Sequence, residues 1–195
     1  MLSLQGFIHS SSYIALFVLV WLSVYFIATI WVFVYKFFTL KGTIKQEKQS
    51  LNAILTGNAF VPNDALFKNM NKKPSKELLF IWRSQMQKRV TSKLVVLSII
   101  SSTAPFIGLF GTVVEILEAF SRLGSSGQIS FDVIAPVISQ ALVATAAGIF
   151  AAIPAYSFFL VLKRKAYDVS LLVQMEIDVL SAEKKTTLES GDYLG

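Results

Sequence analysis

The sequence predicts an all-α integral membrane protein with three transmembrane helices. Three observations carry this. Of 195 residues, 54% are hydrophobic and only 15% charged, and the mean hydropathy is +0.60. Soluble domains carry about a quarter charged residues. Apolar runs long enough to cross a bilayer occur three times. The lysines and arginines gather on one side of those runs, as the positive-inside rule requires.

The first span is read at 13–34, a run that matches the ~20 residues needed to cross. No basic segment precedes it and no A-x-A-like site follows, which argues against a cleaved signal peptide. The loop at 35–93 holds twelve lysines and arginines, Lys36 through Lys93, against Glu47, Asp64 and Glu77. Its first part, 40–55, reads as a helix continuing from span one. Residues 57–74, with Gly57, Pro62, Asn69, Asn71 and Pro74, read as broken and turn-rich. Ser75 can then cap a helix that runs through LLFIWRSQMQKRV directly into span two.

The second span is read at 94–120 and the third at 133–162. Both exceed the ~20 residues required, so they tilt or protrude as helix. Only Arg122 lies in the short connection between them, whereas Lys163, Arg164 and Lys165 follow the third. The large loop and the tail at 163–195 are therefore expected in the cytoplasm, and the N-terminus and the 122–132 connection outside. The tail shows an apolar helical face, Val169, Leu172, Val173, Ile177 and Leu180, interrupted by Glu176. Residues 186–195 read as disordered.

Span two carries the most telling pattern. Ser101, Pro105, Gly108, Thr112 and Glu115 fall on one helix face. Ionisable groups are costly in a membrane helix and usually face a bundle interior or a water path. Glu115 therefore reads either as pore-facing or as a solvated interfacial residue; for Glu118 the interfacial reading is favoured. Asp132 reads as a helix-terminal residue at the positive end of the dipole. Small residues recur every fourth position at Ala104, Gly108 and Thr112, and at Ala144, Gly148 and Ala152. Such rows let membrane helices approach closely, and we expect them at or near subunit contacts. Thr112 and Thr145 can equally bond their own backbone. Pro105, Pro136 and Pro154 can kink their helices. Trp21, Trp31, Phe37 and Phe38 read as lipid-facing or interfacial.

Some functions are excluded by composition. With no cysteine and one histidine, the chain has no Cys-ligated metal, no His cluster and no disulfide. No phosphate-binding loop and no G-x-S-x-G is present. We expect no enzyme activity, no cofactor and no nucleic-acid partner. The +6 charge reflects topology.

The segments STAPFIGLFGTVVEILEAF and APVISQALVATAAGIFAAIPAYSFF, residues 102–120 and 135–159, resemble the MotA/TolQ/ExbB proton-channel family. The TolQ and ExbB branch is nearest, with its TAPFxGLxGTV and APGIAEALxATAxGLxAAIPA patterns. The resemblance implies long helices in a pentameric ring whose central pore is lined by spans two and three. It implies two copies of a single-span TolR/ExbD-type partner inside that pore, each bearing an aspartate, and a TolA/TonB-type protein spanning the periplasm. It implies residence in the bacterial inner membrane, and pore roles for Thr112 and Thr145. A non-conducting membrane scaffold is the rival reading. The short segment before span one favours TolQ over ExbB.

Two positions depart from the family pattern. The pore glutamate of IAEAL is Gln140 here, and a glycine that follows GTV one position on is Glu115. Glu115 lies three residues outward from Thr112, about 4.5 Å, and Gln140 five residues outward from Thr145, about 7.5 Å. If the threonines are level, the carboxylate has moved to the neighbouring helix at a similar depth.

Overall fold

In a computed structural model of the chain, residues 13–56, 75–126 and 131–192 are described. Every regular element among them is an α-helix: α1 Tyr13–Leu55, α2 Lys76–Thr91, α3 Leu94–Ser126 and α4 Phe131–Asp192. A chain in lipid must satisfy its backbone within each segment, and helices do so. α1, α4, and α2 with α3 together include stretches long and apolar enough to cross a membrane. The turn-rich reading of 57–74 and the middle of the 122–132 connection, 127–130, lie outside the described residues.

α1 continues well past its apolar part, to Leu55. Hydroxyls along it bond back to their own helix: Ser23 Oγ donates to the Leu19 carbonyl, Thr29 Oγ1 to Tyr25 and Thr39 Oγ1 to Tyr35. That leaves no orphan donor at these positions in an apolar setting.

Ser75 caps α2, its side chain accepting from the Leu78 N–H at 3.3 Å. α2 does not run directly into span two, as the sequence suggested. It ends at Thr91; Ser92 is the C-cap, its N–H bonding the Lys88 carbonyl at 3.0 Å. Lys93 takes φ 67°, a left-handed conformation that costs a side-chain-bearing residue about 1–2 kcal/mol. The cost is offset by Lys36, which is only 4% exposed. Its ammonium donates to the Arg89 carbonyl at 2.8 Å, the Val90 carbonyl at 3.3 Å and Ser92 Oγ at 3.2 Å. The last carbonyls of a helix lack intrahelical donors, and a cation is the favoured partner there.

α4 is also longer than expected. Helix continues through Asp192, where disorder was read. Between Ala182 and Ser190 there is no proline or glycine to stop it.

The described residues divide into two units, one within Met1–Val34 and Val95–Leu160, the other within Tyr35–Leu94 and Val161–Gly195. The core of the first is small and tight: Val18, Leu22, Ala104, Ala144, Ala151 and Ala152, with Tyr25, Ile107 and Ala147 against it. Phe26 stacks on Phe150, and Phe33 on Phe158. Its outward surface is apolar, with Trp31, Phe106, Leu117 and Phe150 largely exposed. Lipid tails cover such a surface in a membrane protein. The second unit buries Leu40, Leu79, Trp82, Met86, Val90, Leu162, Val169 and Val173.

Candidate functional site

The small residues of spans two and three meet each other within one chain. A methyl built on Gly108 would come within 2.6 Å of the Ala144 carbonyl oxygen, and one on Gly148 within 2.6 Å of the Ala104 carbonyl oxygen. The obstacle in each case is backbone, which cannot rotate away. Only glycine at both positions allows this approach, as small-residue rows in membrane helices do. Ala104, Ala144 and Ala152 are buried along the same contact. The expectation placed these faces at subunit contacts; the structure uses them to join α3 and α4 inside the chain.

The glycine contact brings two hydroxyls together one turn further on. Thr112 Oγ1 and Thr145 Oγ1 share a short hydrogen bond. Thr112 Oγ1 can also donate to the Ala141 carbonyl at 3.1 Å or to Gly108 at 3.2 Å. Thr145 Oγ1 reaches the Gly108 carbonyl at 3.3 Å. The pair has two protons and several acceptors within reach, so one proton bridges the hydroxyls while the other selects a carbonyl. Either hydroxyl can turn to an incoming carboxyl without leaving a buried donor bare. Thr112 is 8% exposed within the chain, and Thr145 is half-buried.

Glu115 lies on the same buried face of α3, one turn beyond Thr112, and is 7% exposed. Its Oε2 has no hydrogen-bond partner among the described residues. A carboxyl group in that setting is costly to ionise unless it is paired or hydrogen-bonded. Gln140 is half-buried on α4, adjacent in sequence to Ala141, whose carbonyl takes the Thr112 hydroxyl. Of the other stripe residues, Pro105 stands inside α3, half-buried like Ser101. Ser101 Oγ donates to the Ser98 carbonyl at 2.9 Å. Asp132 is in the first turn of α4 and exposed.

Sequence reasoning missed three buried charged residues in the second unit: Lys36, Glu47 and Glu176. Glu176 had left a signal, as the charged break in an otherwise apolar face. Lys36 and Glu47 left none, being charged residues among many. Among the described residues no group of three His, Cys, Asp or Glu is arranged to hold a metal ion.

Fold and site define a helical membrane protein whose intramembrane polar chemistry is concentrated on one seam between two spans. The chain belongs to the MotA/TolQ/ExbB proton channel family, whose profile matches residues 47–175. It is 58% identical over 186 residues to the putative biopolymer transport protein ExbB-like 1 of Helicobacter pylori strain 26695, covering 93% of this chain and 98% of that one. It is 51% identical over 72 residues to the biopolymer transport protein ExbB of Neisseria gonorrhoeae, 37% of this chain and 33% of that one. Over 72 residues it is 43% identical to the Tol-Pal system protein TolQ of Pseudomonas aeruginosa, 37% of this chain and 31% of that one. The resemblance read from the motifs, and its TolQ and ExbB branch, are thereby established.

Proposed function

We propose that this protein is an inner-membrane proton-channel subunit of TolQ/ExbB type. It couples the proton-motive force to mechanical work on a periplasm-spanning partner of TolA/TonB type. The observation that carries the reading is the Thr112–Thr145 hydroxyl pair on the glycine seam, with the Glu115 carboxyl one turn away on the same buried face. Five copies form a ring around two single-span TolR/ExbD-type helices. The hydroxyls meet the aspartate those helices bring, and Glu115 passes protons at the outer mouth, taking the place of the glutamate that is Gln140 here. The lysine-rich loop and the tail face the cytoplasm. A passive scaffold has no use for a buried carboxyl group in this position.

An ExbB-type role, energising outer-membrane uptake, has an observation of its own. The relative matched over 98% of its length carries the ExbB-like name. Complementation of strains lacking either system separates it from the TolQ-type role in envelope integrity and division.

The decisive experiment is an inward proton flux measured with the partner co-reconstituted in liposomes. Glu115→Gln abolishes most of the flux and Glu118→Gln leaves it nearly intact, with the complex assembled in both. Glu115→Gly loses the flux, and adding Gln140→Glu recovers it by restoring the family arrangement. Near-normal flux in Glu115→Gln sinks the relay role, and no flux in the parent complex sinks the channel.

A further inference from the structure

The second unit contains a pair of carboxyl groups where a helical bundle would ordinarily place leucine. Glu176 of α4 is 0% exposed and Glu47 of α1 is 8% exposed. Neither oxygen of Glu176 is met by an N–H or a cation among the described residues. The group that acts on it is the Glu47 carboxyl. The other buried residues of this unit are mostly apolar, among them Leu40 and Leu51 on α1, Leu79, Met86 and Val90 on α2, and Val169 and Val173 on α4; the polar atoms Trp82 Nε1 and Gln174 Oε1 are buried there too.

The charged groups on the surrounding elements stand largely at the surface. On α1, Lys41, Lys45 and Lys48 are exposed; on α2, Lys76, Arg83, Lys88 and Arg89 are exposed, as are the acidic Glu77 and the following Lys93. On α4, Lys163, Arg164, Asp168 and Asp178 are exposed. The Lys36 ammonium is committed to the end of α2, and Lys165 lies over the Phe37 ring. Two buried carboxylates side by side cannot both be ionised at reasonable cost, so one keeps a proton and donates it to the other.

We propose that Glu47 and Glu176 form a proton-sharing latch that holds the second unit closed while one proton lies between them and loosens it when that proton leaves. Nothing in the channel reading requires this pair. On the orientation proposed above the unit faces the cytoplasm, so the latch reads cytoplasmic pH. The channel delivers protons to that same compartment.

The titration follows from the surroundings. Burial first, then repulsion by Glu47 and the hydrogen bond with it, push the Glu176 carboxyl from an ordinary 4.5 up to about 8. The folded unit thus holds a proton that the unfolded chain gives up near 4.5. Between those values the folded state binds more protons, so stability falls as pH rises through the window and levels off above it. At neutral pH the latch is closed. Occupancy of the proton falls roughly tenfold per pH unit beyond the midpoint.

Trp82 is buried in this unit and reports on it. The full chain in lipid, with Trp21→Phe and Trp31→Phe, is titrated from neutral to alkaline pH by tryptophan emission. The protonated-carboxyl infrared band is followed in parallel. The expected result is a transition in both signals with a midpoint near 8. Glu176→Gln abolishes it. Glu47→Gln moves the midpoint to lower pH, because repulsion is gone while burial remains. A parent trace with no transition overturns the latch, as does an unchanged transition in Glu176→Gln. Should Glu176→Gln not fold, the Glu47→Gln trace decides: an unmoved midpoint overturns the proposal.

Discussion

Valine at Thr112 or Thr145 separates the hydroxyl's chemistry from its packing. The exchange replaces a hydroxyl by a methyl at nearly constant volume. The Thr112 hydroxyl has one proton, so it donates to one acceptor at a time, Ala141 at 3.1 Å or Gly108 at 3.2 Å, while the Thr145 oxygen bonds to its own. At most two interactions are lost. Hydrogen bonds between membrane helices average about 0.6 kcal/mol and reach about 1.7, so each valine costs about 1–3 kcal/mol. The carbonyls keep their helical N–H donors and are not orphaned. The seam itself, set by Gly108 and Gly148, is untouched. Assembly should therefore survive, whereas loss of a hydroxyl at the proposed proton-handling step should slow the driven activity at least about tenfold, equivalent to about 1.4 kcal/mol on the barrier. Because the two hydroxyls share a bond, the double variant should cost less stability than the sum of the singles. The assay is proton-driven activity in a strain lacking the native protein, alongside native mass spectrometry of the complex. Both valine variants working normally would refute the reasoning.

Three further outcomes are expected. Gly148→Leu forces side-chain atoms into the Ala104 backbone, whose carbonyl oxygen would stand only 2.6 Å from even a single methyl at position 148. It should therefore break the α3–α4 pairing within the chain as well as the proposed ring; an unchanged oligomer by native mass spectrometry would contradict this. Gly42→Ala, with nothing within 4 Å, should be neutral or stabilising by up to about 1 kcal/mol in a denaturant titration. Single cysteines at Lys72 and Ser125, probed with an impermeant thiol reagent in whole cells, should label only at position 125; the reverse pattern refutes the orientation.

What could be read from the residues, and what could not, follows from the range of each signal. Ser75 was legible as a cap because capping is local: the hydroxyl and the Leu78 N–H are three residues apart. The three apolar stretches were legible because the bilayer demands length and composition alone. The break at Thr91–Lys93 was not legible. It contains no glycine or proline, and what stabilises it is Lys36, more than fifty positions earlier in the chain. Periodicity put Gly108, Thr112 and Glu115 on one face, yet it does not say which helix that face meets. The motif resemblance singled out Thr112 and Thr145 for pore roles, but their hydrogen bond to each other across the seam was not read from it. The Glu47–Glu176 pair illustrates the same limit, since one member interrupted a pattern and the other was one charge among neighbours.

The glycine seam also sets what kinds of sequence change this protein can absorb. Each residue turns a helix by about 100°. One residue inserted or deleted between Gly108 and Thr112 would swing the hydroxyl to a different side of α3 while leaving composition, hydropathy and span length almost unaltered. The same holds between Thr145 and Gly148. Substitution by another small side chain elsewhere on these helices is a minor event by comparison. Length polymorphism should therefore be absent from this stretch in working variants and find its outlet in the segments that join the helices. An engineer splicing these spans into another protein must conserve residue count before residue identity.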